Sequence, residues 1–235
     1  MKFITGTGGQ AMFYYQKILR TDERINEVYM LRYKVYCDEW GFENPEDHPG
    51  GVEIDEFDEC SSHFAVIRKD NDEMIGTTRI IFCSDKGFPL EGHAELDKGT
   101  FGGLDRDLVG EVSRLAVSKD YRRRYVDKVM FEFKEYNQDY EKQTTIERRK
   151  LDQEIVLNLY SCICKECMER QMTHLIAVMA DGLYLLLRRI GIIFTKIGPS
   201  VDYHGPRTPY ICCIDTTMKN LQRKRPEIYE RFISA

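Results

Sequence analysis

The sequence predicts a layered α+β or α/β domain, in which helices pack on a central sheet. Short strand-like runs follow one another after residue 60, and helical patterns precede, separate and follow them. HFAVIRK (63–69) and MIGTTRIIFC (74–83) are rich in β-branched and aromatic residues, and the turn DNDE between them predicts a hairpin. VGEVSRLAVS (109–118) predicts the next strand.

The regions before and between these strands have other patterns. Residues 11–37 carry apolar side chains at three- and four-residue spacing, which predicts helix, and Thr21-Asp22 can cap a second helix that starts near Asp22. The prolines and glycines of WGFENPEDHPGG (40–51) predict a loop, and residues 84–107 are also rich in loop formers.

A long helical region is predicted from about 126 to 170, followed by alternating strands and helices. Its polar part, around 135–155, is either an exposed helix or a mobile insertion in what we expect to be one domain spanning 1–235. THLIAVMA (173–180), IIFTKIGP (192–199) and YICCID (210–215) predict strands, and GLYLLLRRIG (182–191) a helix that ends at its glycine. The tail from residue 220 predicts a surface helix.

Composition narrows the class of protein. The 235 residues carry a net charge of −5, which argues against a general nucleic-acid binder. No apolar run approaches the ~20 residues of a membrane span, and MKFITGTGGQ lacks the apolar stretch of a signal peptide. We therefore expect a soluble, cytoplasmic protein, with its oligomeric state left open.

Eight cysteines raise the question of disulfides or metal. Without an export signal, reduced thiols are the expectation. CICKEC (162–167) lies in a helical pattern and lacks a second ligand pair at zinc-site spacing. Core packing is the predicted role, with no metal site.

The acidic run GVEIDEFDECSSHF (51–64) leads directly into a strand. If it turns helically, Asp55 and Asp58 point the same way and can hold a cation together. The alternative is a solvated charge cluster. We expect Ile54 and Phe57 to anchor this loop to the core.

Charged residues also interrupt the predicted strands. Arg79 lies in the second strand of the hairpin, and Glu111 and Arg114 lie in the strand after it. Strict alternation places Glu111 and Arg114 on opposite faces, so a β-bulge is needed to bring them together. A buried salt-bridge network and a charged substrate pocket both account for these residues.

Several blocks recur in order and spacing in one enzyme group. LRYKVY (31–36), WGF (40–42), EIDEFD (53–58), IGTTR (75–79) and EVSRLAV (111–117) resemble the acyl-homoserine-lactone (autoinducer) synthases of the GNAT-like acyltransferase superfamily. Residues 188–210 resemble a sister group, the N-acyl amino acid synthases and the acyltransferases of exosortase (PEP-CTERM) systems.

The resemblance implies a GNAT-like fold, with a mixed, mostly antiparallel sheet flanked by helices. It also implies transfer of a fatty acyl group from a phosphopantetheine thioester to the amine of a small, amino-acid-like acceptor, with no permanently bound cofactor. The matched substrate-site positions are Arg32, Tyr36 (usually Phe in that family), Trp40, Asp55, Asp58 and Arg79, with Glu111 and Arg114 at the catalytic positions.

The donor site departs from the common GNAT pattern. SKDYRRRYVDK (118–128) lacks the glycines that let backbone approach the pyrophosphate of coenzyme A. Acyl carrier protein is therefore the expected transient partner, with Arg122, Arg123 and Arg124 attracting its acidic surface. A solvated helix start explains these arginines equally well.

The expected mechanism is direct attack of the amine on the thioester. Glu111 acts as the base, and backbone N–H groups near Leu115 to Val117 stabilise the thioester oxygen. Asp55 and Asp58 hold the cationic end of the acceptor, while Arg79 and Arg114 hold its carboxylate or brace the aspartates. Tyr36 and Trp40 close over the site; packing is the alternative role for both.

Three alternatives remain. One is autoinducer synthesis from S-adenosylmethionine, which uses the same Asp and Arg pattern. A second enzyme hypothesis is a coenzyme-A-dependent acetyltransferase. A catalytically silent module that binds acyl carrier protein or acyl chains is the alternative outside enzymes.

Overall fold

A nine-stranded sheet runs through the computed structural model, which describes residues 2–3, 12–121 and 140–234. Its strands are β1 Lys2–Phe3, β2 Phe13–Ile18, β3 Ser61–Arg68, β4 Met74–Phe82, β5 Val109–Val117, β6 His174–Met179, β7 Thr195–Lys196, β8 Val201–Asp202 and β9 Pro206–Cys213. Their order is β1-β2-β3-β4-β5-β6-β9-β7, with β8 paired to β9. β5 and β6 are parallel and the other pairs antiparallel. The mixed, mostly antiparallel sheet is confirmed.

Helices cover both faces of this sheet. They are α1 Ile25–Tyr33, which continues as a π-helical segment Lys34–Glu39, α2 Pro89–His93, α3 Lys98–Phe101, α4 Tyr140–Glu169, α5 Asp181–Ile190, α6 Ile214–Lys224 and α7 Pro226–Ser234. Short 3₁₀ turns form at Pro45–Asp47, Glu56–Cys60 and Arg106–Leu108.

Strand alternation divides the core into two layers. On one face, here the α4 face, sheet residues such as Val66 and Val112 pack against the buried stripe of α4 that includes Ile155 and Leu159. On the opposite face, the α1 face, one cluster joins the sheet to α1 and another joins it to the segment that contains Leu90. The polar residues of interest lie on the α1 face, in the gap between these two clusters.

The sequence-based strands 63–69, 74–83, 109–118 and 173–180 are confirmed as β3, β4, β5 and β6. The helix expected over 11–37 is wrong in its first half, where β2 forms instead. Phe13 pairs with Arg68 and Ile18 with His63, so ladder formation with β3 overrides the local spacing. The second half is helical from Ile25. The predicted cap is wrong, because α1 begins after Arg24 without a side-chain cap, and Asp22 accepts from Arg24 N at 2.9 Å in the turn before the helix.

Three later predictions need adjustment. The strand expected over 192–199 shrinks to β7, and the single tail helix becomes α6 and α7, divided before Pro226. Both tail helices bury apolar residues, including Leu221 and Phe232 at 0% exposure, because they complete the α4-face core. Of the polar segment near 135–155, residues from 140 onward form the first turns of α4.

β5 and β6 separate along their length, and this separation shapes the site. Their parallel pairing extends over Val109–His174, Gly110–Leu175 and Glu111–Ile176. Beyond it, β5 continues beside β4 and β6 continues beside β9. The two strands therefore form a V that opens towards their C-terminal ends.

Four of the eight cysteines pack in the core, which is the role predicted for CICKEC and for Cys212. Cys162, Cys164, Cys167 and Cys212 are buried in the α4-face core as free thiols, and burial raises the pKa of Cys162 and of Cys212 to about 12. Within the described ranges, none of the helices has the length and apolarity needed to cross a membrane.

Candidate active site

Three arginines and three carboxylates alternate in a closed ring of ion pairs on the α1 face. Around the ring the members are Arg32, Asp58, Arg79, Asp55, Arg114 and Glu53. Charged side chains removed from water are stable only when they are paired and hydrogen-bonded, and each member here contacts two partners of opposite charge. The ring therefore carries no net charge.

The innermost part of the ring is fully buried. Arg32 donates to Glu53 at 2.5 Å and to Asp58 at 2.6 Å, and all three side chains are at most 3% exposed. Burial opposes ionisation of Asp58, but the guanidinium groups around it outweigh that effect and hold its pKa well below the usual range. This part of the ring is a charged internal support.

The outer part of the ring faces a cavity. Arg79 donates through Nη1 and Nη2 to the two oxygens of Asp55, each at 2.6 Å, and through Nε to Ser113 Oγ at 2.9 Å. Arg114 closes the ring with Nη2 3.1 Å from both Asp55 and Glu53. Because Asp55 is 23% and Arg114 14% exposed, these two present the ring to solvent.

A 3₁₀ turn in the acidic run places the two aspartates. Asp55 caps Glu56–Cys60, its side chain accepting from Phe57 N, while Asp58 accepts from Asp55 N, a reciprocal capping box. The helical turn that the sequence required for Asp55 and Asp58 to point the same way is therefore present. Ile54, however, is 47% exposed, so its expected anchoring role is wrong, and only Phe57 packs against the core.

The bulge expected in β5 is present at Arg114. The β4–β5 register shifts between Thr77 and Arg79, and Arg114 has φ +53°. A positive φ is unfavourable for a residue with a Cβ, so the surrounding ion pairs must hold it. As a result Ser113 and Arg114 both contact groups on the α1 face, which is also the face of Glu111.

Glu111 is the carboxyl group in this cavity that lies outside the ring. It is 4% exposed and accepts one hydrogen bond, from Leu90 N at 3.0 Å. Burial raises its pKa to about 7, although Leu90 N–H, Arg79 and Arg114 act in the opposite direction. A carboxyl group that changes protonation near neutral pH can accept a proton during catalysis.

The cavity passes through the V between β5 and β6 and has a volume of about 390 Å³. Its floor is formed by Glu111, Ser113, Arg114 and Leu115 of β5 and by residues 177–179 of β6. On the α4 face, Tyr160 and Leu183 give an apolar wall, whereas the α1 face supplies the polar and aromatic groups. One end therefore suits an apolar chain and the other a polar molecule.

The two aromatic residues predicted to cover the site are placed differently. Tyr36 lines the cavity, donates to the carbonyl of Leu115 at 3.3 Å, and lies 5.5 Å from the Arg114 guanidinium. Trp40 is 48% exposed and does not line the cavity; it stacks on Phe42 at 5.6 Å between ring centres. Phe42 occupies the lining position instead.

A second group of cavity residues was not predicted as functional. Tyr203, His204 and Arg207 lie at the β8–β9 turn and the start of β9, with Phe42 and His93 beside them. The His204 ring stacks on Phe42 at 5.2 Å, and His93 lies 4.3 Å from Tyr203. In residues 188–210 no local pattern of the sequence indicates a position beside β5.

Two buried polar residues beside the ring were also missed. Glu53 has no role of its own in the sequence-based predictions, yet it is 1% exposed and joins the ring. His63 is fully buried on β3, 3.8 Å from Asp58, and burial lowers its pKa to about 4, so it is neutral. His63 and Ala65 are two residues apart on β3 and so share the α1 face. This alternation is the sequence signal that indicates a buried position for His63.

The remaining predicted positions concern the donor. Leu115 lines the cavity, whereas Val117 pairs with Gly76 of β4 and does not line it. Arg122, Arg123 and Arg124 lie outside the described residues.

The parallel β5–β6 pair that opens into a V, within a mixed sheet covered by helices on both faces, is a GNAT-like fold. Residues 31–132 match the family model of an acetyltransferase (GNAT) domain, and this match covers every ring residue and Glu111. The fold is therefore GNAT-like, and residues 31–132 are similar to an acetyltransferase (GNAT) domain.

Solved structures with the same fold include acyl-transferring synthases. TofI, in a ternary complex with an inhibitor and MTA, gives a TM-score of 0.58 at 18% identity, covering 90% of this chain and 95% of that chain. FeeM, an N-acyl amino acid synthase from uncultured soil microbes, gives a TM-score of 0.57 at 14% identity, and the match covers 88% of this chain and 94% of FeeM. BjaI, a CoA-dependent acyl-homoserine lactone synthase with SAM and isopentyl-CoA, gives a TM-score of 0.58 at 14% identity, and the match covers 95% of this chain and 99% of BjaI. No curated protein matches the sequence.

Proposed function

We propose that this protein moves a fatty acyl group from a phosphopantetheine thioester, carried by acyl carrier protein, to the amine of a small amino-acid-like acceptor in the cytoplasm. The observation that carries the proposal is Glu111, a buried carboxyl group with a pKa of about 7 in the wall of a cavity between separating strands. Transfer of an acyl group to an amine needs a base at that place.

Glu111 is assigned as the general base. The amine nitrogen attacks the thioester carbon, the C–N bond forms, and Glu111 accepts the proton that the nitrogen loses, directly or through a water. The C–S bond then breaks, and the departing thiolate takes up the proton that Glu111 accepted, directly or through the same water, and leaves as the pantetheine thiol. A base whose pKa is near the working pH is both ionised often enough and basic enough for this role.

The opening of the V is assigned to the thioester. Where β5 leaves β6, its peptide groups lose the neighbouring strand, so they are available to a pantetheine arm and to the oxyanion. Leu115 is the predicted donor-side residue that lines the cavity, and Tyr160 and Leu183 offer the acyl chain an apolar wall. An acyl chain would therefore extend towards the α4 face, with the amine arriving from the α1 face.

The ring is assigned to holding the site in shape. Asp55 and Asp58 were expected to hold a cation of the acceptor, but both already accept from Arg79 at 2.6 Å. Recruiting either aspartate would take one of the two carboxylate partners from each arginine beside it, which is costly for buried charges. Of the two roles considered for Arg79 and Arg114, bracing the aspartates is the one these contacts support.

A donor comparison tests the proposal. The purified protein is supplied with the same decanoyl chain on acyl carrier protein or on coenzyme A, together with a panel of amino acids, and products are identified by mass spectrometry. We expect N-acyl product and free thiol from the carrier-protein donor. Equal rates from coenzyme A would overturn the donor assignment, and tight acyl binding without turnover would favour a silent binding module.

Autoinducer synthesis is the second candidate, supported by the likeness to TofI and BjaI, whose structures contain MTA and SAM. Adding S-adenosylmethionine to the assay distinguishes the two functions, because an autoinducer synthase forms acyl-homoserine lactone from it and an N-acyl amino acid synthase does not. The resemblance of residues 188–210 favours the amino acid acceptor, and with it a proposed link to exosortase systems.

A further inference from the structure

Among the residues that the structure describes, the acceptor side of the cavity contains one guanidinium whose charge is not matched by a carboxylate. Arg79 is 1% exposed and already serves Asp55, Asp58 and Ser113. Arg114 contacts Glu53 and Asp55 at 3.1 Å, and Glu43 at 3.6 Å. The charge of both arginines is therefore already matched by protein carboxylates.

Arg207 is in a different situation. It lines the cavity near the start of β9, and its Nη1 donates to the adjacent Pro206 carbonyl at 3.2 Å. In the part of the chain that the structure describes, it forms no ion pair with Asp or Glu. A guanidinium has five N–H donors in a planar fork that matches a carboxylate, so most of this donor capacity remains for a ligand.

Aromatic contacts and turn hydrogen bonds hold the residues around Arg207 in place. Its guanidinium carbon lies 5.9 Å from the Phe42 ring centre, and His204 stacks on the same ring at 5.2 Å. Gly205 N donates to Asp202 at 3.1 Å and Tyr203 N to the Gly205 carbonyl at 3.0 Å, which fixes the turn before Arg207. A cation above an aromatic face, at the edge of a cavity, is well placed to capture an anion.

We infer that Arg207 binds the carboxylate of the acceptor and thereby selects amino acids over simple amines. The inference rests on the proposed function and gives it a substrate class: a small molecule that carries both an amine and a carboxylate. The acceptor's side chain then lies against the aromatic wall that includes Phe42 and Tyr203. Arg207 determines specificity and takes no part in proton transfer.

A binding experiment tests this without relying on turnover. Trp40 is the single tryptophan and stacks on Phe42, which contacts both His204 and Arg207, so ligands here should change its fluorescence. The probes are N-decanoyl-L-phenylalanine and its carboxamide, which differ only in the charged group. We expect the acid to bind roughly ten- to a hundred-fold more tightly than the amide.

Variants assign that preference to one side chain. Arg207→Gln should bind acid and amide equally, at the wild-type affinity for the amide, and Arg207→Lys should keep part of the preference. Arg223→Gln, an exposed position on α6, makes the same change in net charge and should behave as the wild type. Equal binding of acid and amide by the wild type, or an unchanged preference in Arg207→Gln, overturns the inference.

Kinetics separate this inference from the proposed function. Arg207→Gln should raise the KM for L-phenylalanine roughly ten-fold or more while leaving the KM for the acyl donor unchanged. If the wild type acylates phenethylamine as well as L-phenylalanine, the inference fails and acyl transfer stands. If it acylates no amine, the proposed function fails, and the acid–amide comparison alone decides the role of Arg207.

Discussion

Replacing Glu111 with Gln should stabilise the protein at alkaline pH while removing its activity. Gln keeps the shape and can still accept the hydrogen bond from Leu90 N, but it cannot take a proton from the amine. The raised pKa of about 7, against an ordinary 4.5, corresponds to about 3 kcal/mol by which the buried carboxylate is disfavoured in the folded state.

The direction of this pH dependence follows from the pKa of Glu111 in the unfolded and folded states. The unfolded carboxyl group ionises near its ordinary pKa and the folded one near 7, so the contribution of Glu111 to stability is complete below about pH 4.5 and is lost as pH rises through 7. Between pH 5 and 8 the free energy of unfolding of Glu111→Gln should therefore gain roughly 2.5 kcal/mol over that of the wild type.

Urea unfolding followed by circular dichroism at several pH values measures this difference. Glu91→Gln is the matched control, because its partner Arg106 lowers the pKa of Glu91; it should lose stability relative to the wild type as pH rises from acid to neutral. In parallel, acyl transfer by Glu111→Gln should fall roughly 10²- to 10⁴-fold.

Two results would contradict the assignment of Glu111 as a buried base. A stability difference between Glu111→Gln and the wild type that does not change with pH would show that Glu111 has an ordinary pKa. Transfer rates near those of the wild type would show that another group removes the proton.

The remaining predictions concern the ring, the cavity wall and the thiols. Asp58→Asn leaves two buried guanidinium groups short of a partner and should lower the free energy of unfolding by about 3–5 kcal/mol; a loss below ~1 kcal/mol in urea titrations contradicts this. Tyr36→Phe removes a single hydrogen bond to the Leu115 carbonyl and should reduce kcat less than ~10-fold; a larger loss would give the hydroxyl a part in the chemistry. In native protein Cys164 should resist a thiol-specific reagent, because burial raises its pKa; peptide mass spectrometry showing prompt labelling would count against this packing.

The fold was predictable mainly where strand patterns and turns agree locally. β3, β4 and β5 carry their own alternation and are joined or bounded by turn residues, so their existence follows from residues near in sequence. β2 does not, because Phe13–Ile18 becomes a strand only by pairing with β3 more than forty residues away. The three- and four-residue spacing of its apolar residues, taken alone, predicts a helix.

The site was predictable in part for a similar reason. The bulge that Arg114 requires follows from strand alternation and is observed as a register shift with φ +53°. Glu53 could not be separated from its acidic neighbours, since burial of a charge depends on which arginines approach it. Arg207 and His204 come from the far end of the chain, and only the β6–β9 pairing brings them to the cavity.

The most direct test of the central claim is a single product analysis with an isotope label. Decanoyl acyl carrier protein is incubated with the protein and an equimolar pool of ¹⁵N-labelled amino acids plus S-adenosylmethionine, and products are resolved by mass spectrometry. We expect a ¹⁵N-labelled N-decanoyl amino acid that is absent with Glu111→Gln. Decanoyl-homoserine lactone as the main product, or a donor that stays intact, would contradict it.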